Sequence, residues 1–142
     1  MIALDTNILV YAHRKDSSFH ARAAACLRSW AEGPAAWAIP WPCIHEFLAI
    51  VTNPRIFKSP TPLPEAIVQV EAWRQSPTLR LLGEDEGYWP VLTALLASSR
   101  VVAAKVHDAR IAALALHHGV SELLSADRDF SRMAPLVVRN PL

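Results

Sequence analysis

The 142-residue chain is 52% hydrophobic and 19% charged, with a positive mean hydropathy. That balance excludes a disordered segment and predicts one compact domain over residues 1–142, large enough to bury a core without disulfides or a structural metal. Fourteen Lys+Arg against thirteen Asp+Glu leave a formal net charge of +1, which excludes a histone-like polyanion coat and turns attention to where the acids sit.

Met1 to Leu4 is a short apolar run ending at Asp5, without the basic and long apolar regions of a signal peptide. No stretch approaches the ~18 uninterrupted apolar residues of a spanning helix, so a cytoplasmic protein is expected, away from the membrane. Ile8, Leu9 and Ala12 give helical spacing to Thr6–His13, so a strand feeds a helix. Ser17 or Ser18 is placed to cap a second helix reaching about Glu32, which Gly33-Pro34 stops. Ala35 to Pro40 reads as a strand. A third helix starts at Pro42, with Ile44, Phe47, Leu48 and Val51 on one face, and ends at Asn53-Pro54. Pro54, Pro60 and Pro62 stiffen the loop that follows.

A fourth helix is expected over Leu63–Gln75, and a strand over Thr78–Leu82. The contiguous acids Glu84, Asp85 and Glu86 precede a helix ending near Ser99, where they would offset the positive end of its dipole. Asp108 opens a helix over Ala109–His118, and Gly119 ends it as a C-cap. Leu123–Ser125 and Leu136–Val138 complete the strands. Short apolar strands alternating with helices imply an α/β fold, a three-layer α/β/α sandwich around a short parallel sheet. Cys26 and Cys43 read as two unpaired thiols.

Ligands of open parallel sheets collect outside the carboxyl ends of the strands. Asp5 lies at such an end, and Asp127 and Asp129 lie in the turn after Leu123–Ser125. Asp108 heads the helix that enters this last strand, and Glu46 sits early in the helix after the second. If these segments converge, their carboxylates repel unless a cation joins them, and Mg²⁺ or Mn²⁺ suits an all-oxygen set. Each acid also has a plainer reading. Asp5 and Asp108 occupy helix-capping positions, and Asp127 and Asp129 suit a turn. Glu46 points away from the apolar stripe of its helix and reads as solvated.

Several stretches together resemble the PIN-domain family, and within it the VapC-type ribonuclease toxins of type II toxin–antitoxin pairs. They are Ile2–Leu9, His45–Leu48 with Thr52-Asn53-Pro54, His107–Ala113, Ser125–Phe130 and Val137–Leu142, in the family's order along nearly the whole chain. The resemblance implies a PIN-like fold and an acidic catalytic site of Asp5, Glu46, Asp108 and Asp127, with Asp129 as a neighbouring metal ligand. It implies supporting roles for Thr6, Asn7 and Ser125, the last standing where many relatives have threonine. The implied activity is Mg²⁺- or Mn²⁺-dependent hydrolysis of tRNA, rRNA or mRNA by a metal-activated water. The implied partners are the RNA, a cognate antitoxin and a second copy of the chain.

Eleven of the fourteen basic residues are arginine, whose planar fork suits phosphate. Arg14, Arg55, Arg110 and Arg128 lie near the acidic segments in sequence and are candidate RNA contacts, as is Lys58. His45 and His107 flank two of the acids but read as surface histidines. The five tryptophans read as core residues, with some available to an interface. Competing readings are a PIN-fold binding module without catalysis, a phospho-acceptor signalling domain and a haloacid-dehalogenase-like phosphatase. The phospho-acceptor needs a lysine near the last strand, yet the only lysines are Lys15, Lys58 and Lys105. The phosphatase needs a second aspartate where Asn7 stands.

Overall fold

Five short strands, all parallel, form one sheet in a computed structural model that describes residues 1–142. In chain order the elements are β1 (Ile2–Leu4), α1 (Thr6–His13), α2 (His20–Ala31), β2 (Trp37–Pro40), α3 (Trp41–Val51), α4 (Leu63–Arg74), β3 (Leu79–Leu82), α5 (Tyr88–Ser99), α6 (Val106–His117), β4 (Glu122–Leu124) and β5 (Val138–Arg139). Short 3₁₀ turns cover Ala103–Lys105 and Arg128–Arg132. Every residue of β1 and β2 is buried, because helices cover both faces of the sheet, and this is why these strands read as unbroken apolar runs. The layering is the α/β/α arrangement expected from the sequence.

The strand order is β3-β2-β1-β4-β5. From the central β1 the chain builds outward through β2 and β3, then returns to the other side of β1 to add β4 and β5. The carboxyl ends of β1, β2 and β4 therefore meet at the point where the winding reverses, the usual place for a ligand in such sheets. The register is continuous there, since Asp5 N–H donates to the Leu124 carbonyl at 3.0 Å just beyond the paired strands.

The core under this edge is closely filled. Leu4, Ile8, Leu9, Trp37, Ile39, Phe47, Ile111, Leu114 and Leu123 are among its fully buried side chains, each worth about 1.5–3 kcal/mol of transfer free energy for the aliphatic and Phe positions. Trp37 donates its indole N–H to Ser76 Oγ at 3.0 Å, which satisfies the one polar atom it buries. Trp73 is also core, whereas Trp41 and Trp89 are exposed. Both cysteines are free thiols. No helix is long and apolar enough to cross a membrane.

Helix ends depart from the sequence reading in informative ways. α2 begins at His20 with Phe19 at the N-cap and no side-chain cap; Ser17 Oγ instead accepts from Phe19 N–H in the preceding turn. α5 begins at Tyr88, so Glu84–Glu86 precede it and its first turn holds no acid. α6 begins at Val106, which makes Asp108 its third residue rather than its cap. The last strand forms at Val138–Arg139 because Met133 and Leu136 turn inward and are buried before it. Gly119 behaves as expected. With φ at +74°, it lets its own N–H reach Leu116 O and Val120 N–H reach Ala115 O, which closes the end of α6.

Candidate metal centre

Asp5 leaves β1 and caps α1, accepting from Thr6 N–H at 2.8 Å. Its other oxygen accepts from Ser125 Oγ at 2.6 Å and from Asn7 Nδ2 at 2.9 Å. Cys43 Sγ donates a longer contact of 3.7 Å. Only 4% of Asp5 is exposed. Burial pushes its carboxyl up from 3.8 to about 6; the Glu46 charge adds to the rise, while hydrogen bonds from Ser125 and Thr6 oppose it. Asp5 thus caps α1 and lines the shared cavity at once, so the capping position does not take it away from the other acids.

The next acid arrives through α3, which follows β2 without an intervening loop. Glu46 is half-buried, and Thr6 Oγ1 donates to its Oε2 at 2.6 Å. The solvated Glu46 expected from helical periodicity is therefore corrected: tertiary placement turns the polar side of α3 toward β1. Asp108, in the first turn of α6, is raised by burial first and then by the charges of Asp127, Asp129 and Glu46, with Lys105 opposing. Asp127 caps the 3₁₀ turn after β4, accepting from Asp129 N–H at 2.8 Å and donating its own N–H to Ser125 Oγ at 3.0 Å.

Asp5, Glu46, Asp108 and Asp127 come from four separate segments and line one cavity of about 470 Å³, along with Thr6 and Asn7. Carboxylate oxygens of Asp108, Asp127 and Asp129 lie within 4.8 Å of one another. Asn7 ties the carboxyl ends of β1 and β4 together. Besides Asp5, its amide donates to Ser125 Oγ at 3.1 Å, and its Oδ1 accepts from Ala126 N–H at 3.0 Å. The set is made of hard oxygen donors, and burial, with the neighbouring charges adding to it, already raises Asp5 and Asp108. A divalent cation of the magnesium or manganese type meets both conditions. A thiolate-ligated metal does not fit, since burial pushes the Cys43 thiol well up and leaves it a donor to Asp5.

The basic candidates separate clearly. Arg14 is corrected from an RNA contact to a structural strut. It is buried, paired with Asp16 at 2.6 Å, bonded to Ser59 O at 2.8 Å and stacked 4.0 Å over the Phe57 ring. Arg110 is paired with Glu84 across 26 positions. Arg55 and Arg128 are exposed, and so are His45, His107 and Lys58. The residue that sequence reasoning missed is Lys105, which pairs with Asp129 and stands 3.9 Å from Asp108. Its position three residues before Asp108 was the available signal, obscured because Val106 rather than Ala109 starts the helix.

Fold and site together define an α/β protein with a cluster of carboxylates, able to hold a metal ion, at the switch point of its sheet. Residues 2–136 match the PIN domain, and the chain belongs to that family. Within it, the chain is similar to Ribonuclease VapC43 of Mycobacterium tuberculosis, at 34% identity over 142 residues covering 100% of this chain and 96% of that protein. It is also similar to Ribonuclease VapC48 of the same organism, at 31% identity over 137 residues covering 96% and 94%. Among solved structures, VapBC2 from Rickettsia felis bound to a promoter DNA fragment superposes with a TM-score of 0.71 at 21% identity, covering 99% of this chain and 98% of that one. The sarcin–ricin loop cleaving toxin VapC20 of M. tuberculosis gives 0.67 at 20% identity, covering 96% and 97%. These last two speak for the fold.

Proposed function

We propose that this chain, as a single domain, is a metal-dependent endoribonuclease acting as the toxin of a toxin–antitoxin pair. One observation carries the reading: four acids from distant segments line a single cavity at the sheet's switch point. Family membership and the ribonuclease names of its relatives support it. Asp5, Asp108 and Asp127, with Glu46 and Asp129, would hold Mg²⁺ or Mn²⁺. Bound divalent cations supply Lewis acidity for attack of water on a phosphodiester and for the charge on the leaving oxygen.

The chain's own residues prepare that chemistry. Ser125 and Asn7 fix Asp5, and Thr6 fixes Glu46, so the carboxylates are aimed before any cation arrives. No side chain is placed as a nucleophile. Partners in this reading are an RNA of the tRNA, rRNA or mRNA class, a cognate antitoxin and a second copy of the chain, meeting in the cytoplasm. Purified protein is expected to cleave RNA with Mg²⁺ or Mn²⁺ and to stop on adding chelator. Expression in a host is expected to arrest growth, with relief by Asp108→Asn. Cleavage that persists in chelator at full rate would overturn the metal-dependent reading.

A further inference from the structure

Beside the carboxylate centre lies a second hollow, of about 300 Å³, lined by Lys105, Arg128, Ser131 and Arg132 with Val101 and Asp129. A water occupies roughly 30 Å³ of liquid, so there is room for a phosphate group. Three cations face this hollow, and only Lys105 has an acidic partner. Asp129 and Asp108 hold it, whereas no carboxylate lies within ion-pair distance of Arg128 or Arg132. The one carboxylate lining the hollow, Asp129, is taken up by Lys105, so the two guanidinium groups on its wall have no anion of their own and suit an external one.

The backbone there is fixed. Arg128, Ser131 and Arg132 belong to one 3₁₀ turn, in which residues three apart lie one above the other. Phe130 in the same turn and Met133 after it are buried and pin it to the core. The hollow also adjoins the proposed centre directly, because its Asp129 donates its N–H to Asp127 Oδ1 at 2.8 Å. A nucleic-acid strand with one phosphate at the carboxylates carries its next phosphate close by, and this hollow, with three cations to one acid, is the neighbouring basic surface.

We propose that Lys105, Arg128, Ser131 and Arg132 form a binding subsite for the RNA backbone phosphate next to the one that is cut. The inference rests on the reading of the carboxylate centre as an RNA-cleaving site. Arg128 and Arg132 donate their forks to the phosphate oxygens, and Lys105 stands between subsite and centre, bridging to either.

The test is fluorescence anisotropy of a labelled short single-stranded RNA with full-length protein, in Ca²⁺ and across a salt series, for wild type, Arg128→Ala, Arg132→Ala, the double variant and the two Arg→Lys variants. Thermal melts confirm that all are equally folded. Each alanine variant is expected to bind roughly fivefold more weakly, with a salt slope shallower by about 0.7 per lost phosphate contact; the lysine variants retain most of the affinity. A double variant with wild-type affinity and slope would overturn the subsite. So would a wild type that prefers polyglutamate to RNA and loses only that preference on substitution, since the hollow would then be a site for an acidic peptide. Binding needs no cleavage, so the two readings separate. If the arginine variants weaken RNA binding while wild type never cleaves RNA, the hollow is a phosphate site of an RNA-binding protein and the nuclease reading falls; if wild type cleaves and KM is unchanged in the double variant, the nuclease reading stands and the subsite falls.

Discussion

Two groups of acids in this chain behave in opposite ways. Glu84, Asp85 and Glu86 are contiguous in sequence and exposed, and two of them are partnered: Glu84 by Arg110, and Asp85 by a hydrogen bond with His117 Nε2 at 2.6 Å. The His117 hydrogen bond and the Gly87 N–H oppose desolvation and hold the Asp85 carboxyl below its usual value. Asp5, Glu46, Asp108 and Asp127 are scattered over more than a hundred positions, yet they line one cavity, and burial raises both Asp5 and Asp108. A local run of acids can spread into solvent and find partners on a neighbouring helix. Acids gathered by strand topology are held together whether or not they repel, and a retained proton or an added cation relieves them. Proximity in sequence is therefore a poor guide to which carboxylates share one cavity, and convergence on a sheet edge is a good one.

The contrast makes graded predictions. The largest effect is expected for Asp5→Asn, which should lower RNA cleavage by more than ~100-fold, the upper end of losses for outer partners of a metal; initial rates with Mg²⁺ measure it. Thr6→Val removes the hydroxyl that orients Glu46 but leaves every carboxylate. A loss of roughly tenfold is expected, read as activity against Mg²⁺ concentration so that weaker metal binding and slower chemistry are resolved.

Stability against pH sharpens the comparison further. The folded Asp5 titrates near 6, above its usual 3.8. The folded state therefore holds the proton more tightly than the unfolded chain. The stability this contributes is complete below about pH 4 and is lost as pH rises through 6, on the order of 3 kcal/mol for a shift of this size. Denaturant unfolding in chelator should show that decline in wild type and a flatter profile in Asp5→Asn. The depressed Asp85 has the opposite sign, so its small contribution is present at neutral pH and fades on acidification. The smallest effect is expected for Glu84→Gln with Asp85→Asn, which should leave cleavage within about twofold of wild type.

Much of this architecture was legible in the sequence. The apolar run before Asp5, the helical spacing after it and the Gly119 stop all follow from backbone and periodicity rules that act over a few residues. Asp5 and Asp127 stood at strand ends, where parallel sheets place ligands. Glu46 was different. Periodicity describes one helix in isolation, and α3 takes its polar side to Thr6 of another element; only the family resemblance singled it out. Arg14 was misread because its partners, Ser59 and Phe57, belong to a loop some forty-five positions on. Nothing within a window around Arg14 reveals that burial. Lys105 escaped notice because its principal partner, Asp129, is 24 positions away.

The most direct measurement is Mn²⁺ binding followed by electron paramagnetic resonance in three proteins: wild type, Asp108→Asn and the Glu84→Gln/Asp85→Asn double variant. Wild type and the double variant should bind Mn²⁺ alike, and Asp108→Asn should bind it at least ~10-fold more weakly. Undiminished binding by Asp108→Asn, or binding lost with the contiguous acids, would contradict the assignment of the convergent carboxylates as the metal centre.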